Sequence, residues 1–488
     1  MDYHALLGTT AAHAAKYLAA LESRPVAAPV DPTDLRAKLG GPLPELPTDP
    51  ETVLEALVSA ADPGLVQSAG PRYFGYVIGG ALPASLAADW LATAWDQCAG
   101  IYPLSPAGAV VEEVAGAWLR ELLGLPPAAS VGFTTGDTMA NTVGLAAARS
   151  RVLERSGWDV ERQGLFGAPE IEMVVGEQRH VSIGMALRYL GLGSERVRVV
   201  TADGQGRMLP DALAETLRGL AGRPIIVCAQ AGEVNTGAFD PLDRICEIAH
   251  AYRAWVHVDG AFGLWAAASP DLRHLVRGVE RADSWATDAH KWLNVPYDCG
   301  AVFVADPAAH QAATSLLAAG YLARDQLGRD PSDWVPEMSR RARGFPVWAA
   351  LRQLGRAGVA RLVDRCCAHA RRFASELGAV AGVEVLNDVV LNQVLVRFLD
   401  PDGGHDRRTR EVVARVQAGG TCWLGGTAWR GMAAMRISVS NWSTTTRDVD
   451  QSIDAILTAA RLPAATGAGN RREAAGRSGD MSGTVNGH

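Results

Sequence analysis

Of the 46 lysine and arginine residues in this chain, only Lys16, Lys38 and Lys291 are lysine, so arginine supplies nearly every cation. A guanidinium stays charged and is no nucleophile, whereas a desolvated amine can condense with a carbonyl compound to give an imine. Lys291 lies at the centre of residues 284–299, Ser-Trp-Ala-Thr-Asp-Ala-His-Lys-Trp-Leu-Asn-Val-Pro-Tyr-Asp-Cys. His290 precedes it, and Trp292, Leu293 and Val295 follow, neighbours expected to lower the amine pKa by desolvation. Pyridoxal phosphate is the commonest cofactor held through a lysine imine. The alternative is a leftover surface lysine.

Three further stretches and one arginine suit such a cofactor. Residues 131–141, Val-Gly-Phe-Thr-Thr-Gly-Asp-Thr-Met-Ala-Asn, read as a strand, a tight turn and a helix start. The amides of Gly136, Asp137 and Thr138, with the Thr138 hydroxyl, would cradle a phosphate at the helix N-terminus. Such junctions are common, and the Asp137 carboxylate would repel a phosphate unless it points away or caps the helix. Residues 257–262, His-Val-Asp-Gly-Ala-Phe, end a strand on an acid. Asp259 can hold a proton on a pyridine nitrogen, so that the ring accepts the electrons released at a substrate Cα; it can equally cap the next turn. His180 follows a strand and opens a helix, where an imidazole can stack on a ring or move a proton, although a lone histidine is more often a packing or surface residue. Arg436 alternates with apolar Met435 and Ile437, so its partner is either a substrate carboxylate or a carboxylate of the chain itself.

These residues need a scaffold. From residue 131 onward, β-branched runs at 131–134, 171–175, 197–200, 224–229, 254–258, 283–286 and 300–305 alternate with helical stretches such as 138–155, 210–220 and 241–252. That alternation predicts an α/β fold with a mostly parallel central sheet and helices on both faces. Ligands bind such sheets at the carboxyl ends of the strands, where Gly136, His180, Asp259 and Lys291 fall. Residues 1–65 alternate alanine-rich helices with proline breaks, and Asp49 before Pro50 reads as a helix start. Helices follow at 83–98 and 106–123. After an irregular stretch to about 343 come long helices to about 378, strands at 392–398, 421–424 and 434–440, and helices at 407–417 and 446–461. The expected division is 1–65, a large cofactor-binding unit at 66–343, a smaller C-terminal α+β unit at 344–462, and a tail at 463–488 too poor in apolar residues to fold.

Composition narrows the function. The 488 residues are 48% hydrophobic and 20% charged, as in a soluble protein with more than one core. A net charge of -7, without a basic run carrying interleaved aromatics, argues against nucleic acid. Neither a signal peptide nor an apolar run of membrane-spanning length is seen. The seven cysteines lack metal-ligand spacing, so no metal is expected, and they read as reduced residues of a cytoplasmic protein.

Residues 131–141, the stretch around His180, and residues 257–262 and 284–299 together resemble the group II pyridoxal-phosphate-dependent amino-acid decarboxylases. That family holds the aromatic-L-amino-acid, glutamate and histidine-type decarboxylases, within the fold type I PLP-dependent transferase-like superfamily. The likeness runs from about residue 72 to about 460 and is most specific at 257–261 and 288–292. It implies that Lys291 carries the cofactor imine, Asp259 pairs with the pyridinium, His180 stacks on the ring and Ala261 touches its other face. Gly136, Asp137, Thr138 and His290 would bind the phosphate. Arg436 would hold the substrate α-carboxylate, Tyr76 would line the pocket with Tyr73 and Phe74, and Tyr321, on a mobile loop, would return a proton to Cα. Asp137 stands where the family has a small residue, and residues 232–237, Gly-Glu-Val-Asn-Thr-Gly, replace a Gly-Thr-Thr start, bringing Glu233 near the ring. The family is dimeric with its site between subunits, so residues 1–65 are expected to embrace a second copy. The implied reaction converts an L-amino acid to its amine and CO2, with Lys291, His180, Tyr321 and Asp259 catalytic. The presence of His180 and Tyr321 favours this over aldehyde-forming oxidative deamination. Transamination, aldol-type cleavage and a non-catalytic scaffold on the same fold are the alternatives.

Overall fold

The computed structural model describes residues 2–27, 30–315 and 328–461. Tyr321 and residues 463–488 lie outside the described residues. The first strand, β1 (Tyr73–Phe74), belongs to a small sheet. The next seven build a large one: β2 (Ser130–Thr134), β3 (Glu172–Gly176), β4 (Val197–Val200), β5 (Ile225–Gln230), β6 (Trp255–Asp259), β7 (Ser284–Asp288) and β8 (Gly300–Val304). Their order is β2-β8-β7-β6-β5-β3-β4. Only β8 opposes its neighbours; β7, β6, β5, β3 and β4 pair parallel in turn. The expected mostly parallel sheet is present.

Strand alternation builds two cores. Ile226 and Cys228 of β5 point to one face, while Val227 and Ala229 point to the other, and each pair joins a different apolar cluster. Both faces are therefore covered, which is why these strands read as unbroken apolar runs. The helix Asp137–Glu154 lies on the face of Ile226 and Cys228, with Ala140, Val143 and Ala147 packed against it.

The second sheet contains β9 (Val383–Val385), β10 (Gln393–Phe398), β11 (Trp423–Trp429) and β12 (Met432–Ser438), in the order β1-β11-β12-β10-β9. The runs at 73–74 and 383–385 are too short to show a period, so sequence reading assigned neither. β11 extends past the expected 421–424 because Gly425 and Gly426, which look like a stop, pair with Arg436 and Met435. Tyr73 and Phe74 pair with Trp423 and Leu424, 350 residues away for each pair by number, so the segment before the large sheet closes the edge of the small one. Helix Pro83–Trp95 ends before the expected residue 98, and Pro307–Thr314 is helical within the stretch read as irregular.

Helices Tyr3–Ala20, Pro32–Leu39 and Pro50–Ala61 start at side-chain caps from Asp2, Asp31 and Asp49. Of all their residues only Ala60 is buried. Tyr3, Leu7, Leu18, Val53 and Leu57 are exposed.

Candidate active site

β6 and β7 are parallel neighbours with Asp259 opposite Ala286, so Asp259 and the turn after Asp288 emerge side by side. Lys291 stands in that turn, 18% of its side chain exposed, with Nζ 3.0 Å from Asp288 Oδ2. The N-terminus of helix Asp137–Glu154 meets it there, and the Asp137 amide donates to Asp288 Oδ1 at 2.7 Å. Close backbone approach holds these parts together. A Cβ on Gly79 would collide with the Lys291 carbonyl oxygen, and one on Gly300 would lie 2.6 Å from the Gly136 carbonyl carbon. Asn294, in the left-handed region at φ +55°, clasps three segments. Its Oδ1 accepts from the Gly80 and Trp442 amides, and its Nδ2 donates to the Trp292 and Ser440 carbonyls.

A buried polar relay supports Asp259. Asn141 lies one helical turn beyond Asp137, with Nδ2 2.8 Å from Asp137 Oδ2 and 3.2 Å from Asp259 Oδ2. Its Oδ1 accepts, so the His257 Nε2 at 2.8 Å must donate. His257 Nδ1 then accepts from Ser284 Oγ at 2.8 Å, and Ser284 accepts from Trp255 Nε1. Every step donates towards Asp259. Burial pushes His257 down to about 4, which keeps this relay neutral. Ser182 Oγ also donates to Asp259 Oδ2 at 3.3 Å, and the Ala261 amide donates to Oδ1 at 3.3 Å. Sequence reading gave Asn141, Ser182, His257, Ser284 and Asp288 no role. The one available signal was the four-residue spacing of Asp137 and Asn141, which puts both on one helix face.

His180 caps helix Val181–Tyr189, its Nδ1 accepting from the Ser182 amide. Burial lowers its pKa, Asp259 opposes, and Lys291 and Arg436 add to the lowering. His290 Nδ1 accepts from the Cys299 amide, so Nε2–H faces Asp288 Oδ1 at 3.4 Å. The Asp137 carboxyl is pushed well up by burial and by Asp259 and Asp288. For Lys291 the expectation needs correction. Burial does lower its pKa, but Asp288, Asp137 and Asp259 outweigh it, and the amine is raised above its ordinary value.

Glu233, the acid of the departing 232–237 stretch, is held locally. Its carboxylate accepts from the Asn235 and Thr236 amides at 2.8 and 2.7 Å, so it is engaged by its own turn. Arg436 of β12 is partly buried and donates to the Val234 carbonyl at 3.4 Å. Among the described residues it forms no salt bridge. Tyr76 is exposed, its ring 5.3 Å from Trp423, which stacks on Tyr73 at 5.1 Å. Gly136, Asp137, Thr138, His180, Asp259, Ala261, His290 and Lys291 therefore share one end of the large sheet, while Arg436 and Tyr76 approach from the small sheet.

Residues 32–399 match the pyridoxal-dependent decarboxylase conserved domain. The chain belongs to the pyridoxal-dependent decarboxylase family. Among relatives of this decarboxylase, the L-tyrosine/L-DOPA decarboxylase 2 of Lophophora williamsii is 31% identical over 359 residues, 70% of this chain and 67% of that protein. The acidic amino acid decarboxylase GADL1 of Homo sapiens is 29% identical over 343 residues, 69% of this chain and 65% of that protein. Oryza sativa TDC, solved with PLP and tryptamine, superposes with a TM-score of 0.87 at 25% identity, covering 94% of this chain and 97% of that one. This pyridoxal-dependent decarboxylase is an amino-acid decarboxylase, and pyridoxal phosphate is its cofactor.

The residues present fit that cofactor. Asp259 and the turn that carries Lys291 leave neighbouring strands at one sheet end, so the two could meet the pyridine nitrogen and the aldehyde that lie across one ring from each other. A Cβ at Gly136 would lie 3.3 Å from His290 Cε1, so glycine keeps the helix end open. Thr138 takes the second helical position, where an amide has no partner within the helix.

Proposed function

We propose that this enzyme converts an L-amino acid to its amine and CO2, with Lys291 and Asp259 at the centre of the reaction. The observation that carries this is the emergence of both residues from adjacent parallel strands, β6 and β7, at one sheet end. Pyridoxal phosphate, when bound, supplies a sink for the electron pair left at Cα. Lys291 anchors the aldehyde end. Its raised pKa makes it an ammonium at neutral pH, and Asp288 at 3.0 Å is the nearest group to take its proton. Asp259, oriented by Asn141, Ser182 and the Ala261 amide, holds the proton on the ring nitrogen. His180 would cover one ring face and Ala261 would leave room at the other. Gly136, Asp137 and Thr138 offer backbone amides to the phosphate, with the Thr138 hydroxyl and His290 beside them. Arg436, without a salt-bridge partner among the described residues, binds the α-carboxylate, and Tyr76 borders the side-chain pocket. Tyr321 returns the proton to Cα.

The functional unit in this reading is a homodimer, because helices at 3–61 expose Tyr3, Leu7, Leu18, Val53 and Leu57 for a second copy to cover. Sedimentation at twice the chain mass is expected, and a monomer would refute it. All seven cysteines are unpaired, which supports a reducing compartment such as the cytoplasm. The reaction is tested by measuring CO2 and amine from a panel of L-amino acids, with an absorbance spectrum of the purified protein. A yellow band that disappears in Lys291→Ala, with CO2 from at least one amino acid, is the expected result. Keto acid, glycine or aldehyde without amine would overturn decarboxylation to the amine.

A further inference from the structure

We infer that Asp288 competes with the cofactor phosphate for the N-terminus of helix Asp137–Glu154, so that this chain holds pyridoxal phosphate more weakly than its scaffold permits. The inference rests on the proposed phosphate seat at Gly136, Thr138 and His290. Asp288 is 2% exposed, and its Oδ1 takes the amide of Asp137, the first helical residue, at 2.7 Å. The same oxygen lies 3.6 Å from where a Cβ on Gly136 would stand and 3.4 Å from His290 Nε2. A carboxylate therefore already occupies the place where the helix end is most attractive to an anion.

A second carboxyl, Asp137, stands beside it, but burial, Asp259 and Asp288 push its pKa well up, so the negative charge at the seat comes from Asp288. Asp137 is 6% exposed, and its Oδ1 has no hydrogen-bond partner, while Oδ2 takes the Asn141 amide. Asp259 stands behind them, within reach of the same Asn141 amide. The facing cation is Lys291, and His290 would be a second only if protonated, which burial opposes. Tyr297, whose ring packs 4.4 Å from His290, is pushed up to about 12 by burial and then by Asp288, so it adds no charge. Among the described residues no arginine pairs with Asp137, Asp259 or Asp288. A phosphate entering this seat meets like charge, and Asp288 must leave the Asp137 amide for the phosphate to take it.

The two parts of the cofactor separate this effect from a general one. Pyridoxal lacks the phosphate and still needs Lys291 and Asp259. The full chain freed of cofactor is titrated with pyridoxal phosphate and with pyridoxal, and dissociation constants are read by equilibrium dialysis. Asp288→Asn keeps an oxygen for the Asp137 amide and adds a donor. Loss of the carboxylate charge beside Lys291 acts on both compounds alike, and the ratio of the two dissociation constants is expected to shift by about tenfold or more in favour of pyridoxal phosphate. An unchanged or smaller preference for the phosphorylated form in Asp288→Asn overturns the inference and leaves the proposed function standing. Wild-type protein that binds neither compound overturns both. If Asp288→Asn fails to fold by circular dichroism, Asp288→Ser takes its place, with a stronger phosphate preference expected and an unchanged one refuting.

Discussion

Asp259 reaches its working state through neighbours rather than by itself. Asn141, Ser182 and the Ala261 amide all donate to its carboxylate and fix its orientation. Asp259→Asn keeps the shape and removes the charge. Its rate of CO2 release should fall on the order of 100-fold, with cofactor still bound by absorbance, because the lost interaction strengthens in the transition state. In the proposed reaction Arg436 would act in binding. Arg436→Lys replaces a fork by a point charge, so KM for the amino acid should rise by about tenfold with a smaller change in kcat; equal falls in kcat and kcat/KM would remove Arg436 from the substrate site. The types and order of Lys291, Asp259, His180 and Arg436 were legible in the sequence. The charge on Lys291 was not, because its apolar neighbours in sequence argue for a lowered pKa, whereas Asp288 turns back onto it from three residues earlier and Asp137 and Asp259 arrive from other elements.

At the scale of elements, precise placement depends on buried polar ties. Arg340 donates to Glu112 at 2.9 Å, to the Ala99 carbonyl at 3.0 Å and to the Phe133 carbonyl at 2.7 Å, joining helix Pro106–Leu122 to β2. β2 leads directly into Gly136 and the helix start. Arg340→Met would leave the Glu112 carboxylate buried without its partner and should cost about 3–5 kcal/mol, read from the urea midpoint at unchanged slope. Arg340→Met with Glu112→Leu should recover most of that loss, since an apolar pair replaces the ion pair without an orphaned charge. The large-sheet strands were legible because both of their faces are buried. β1 and β9 were not, because two or three residues carry no period and their strand state exists only through pairing.

For the whole molecule, buried histidines set the response to acid. Burial pushes His257 down to about 4 and His310 down to about 3. In the unfolded chain both protonate near their ordinary value of about 6.5, so the unfolded state binds more protons and stability falls as the pH drops below that value. Between pH 6.5 and pH 5 each histidine should remove about 2 kcal/mol. Asp240, pushed up to about 6 by burial, works the other way over the same range and returns about 1 kcal/mol at pH 5. The net expectation is a melting temperature that falls between pH 7 and pH 5, with a shallower fall in His310→Gln. A melting temperature flat across that range would show that these histidines protonate inside the folded chain.

The sequence by itself determined which chemistry was available: a lysine where arginine is the rule, an acid ending one strand, a glycine-bearing helix start, and the alternation that brings strand ends together. These are local facts of residue type and period, and local facts survive being read in one dimension. Tertiary structure decided which groups share a space. Asp288 reaches the helix end across 151 residues, Asn141 joins Asp259 across 118, and Arg72 donates to Asp448 across 376. Protonation, orientation and strain at such meeting points follow from distance and burial, which no spacing along the chain specifies. Glu233 marks the boundary: its carboxylate was legible as a departure, but its capture by the amides of Asn235 and Thr236 was not.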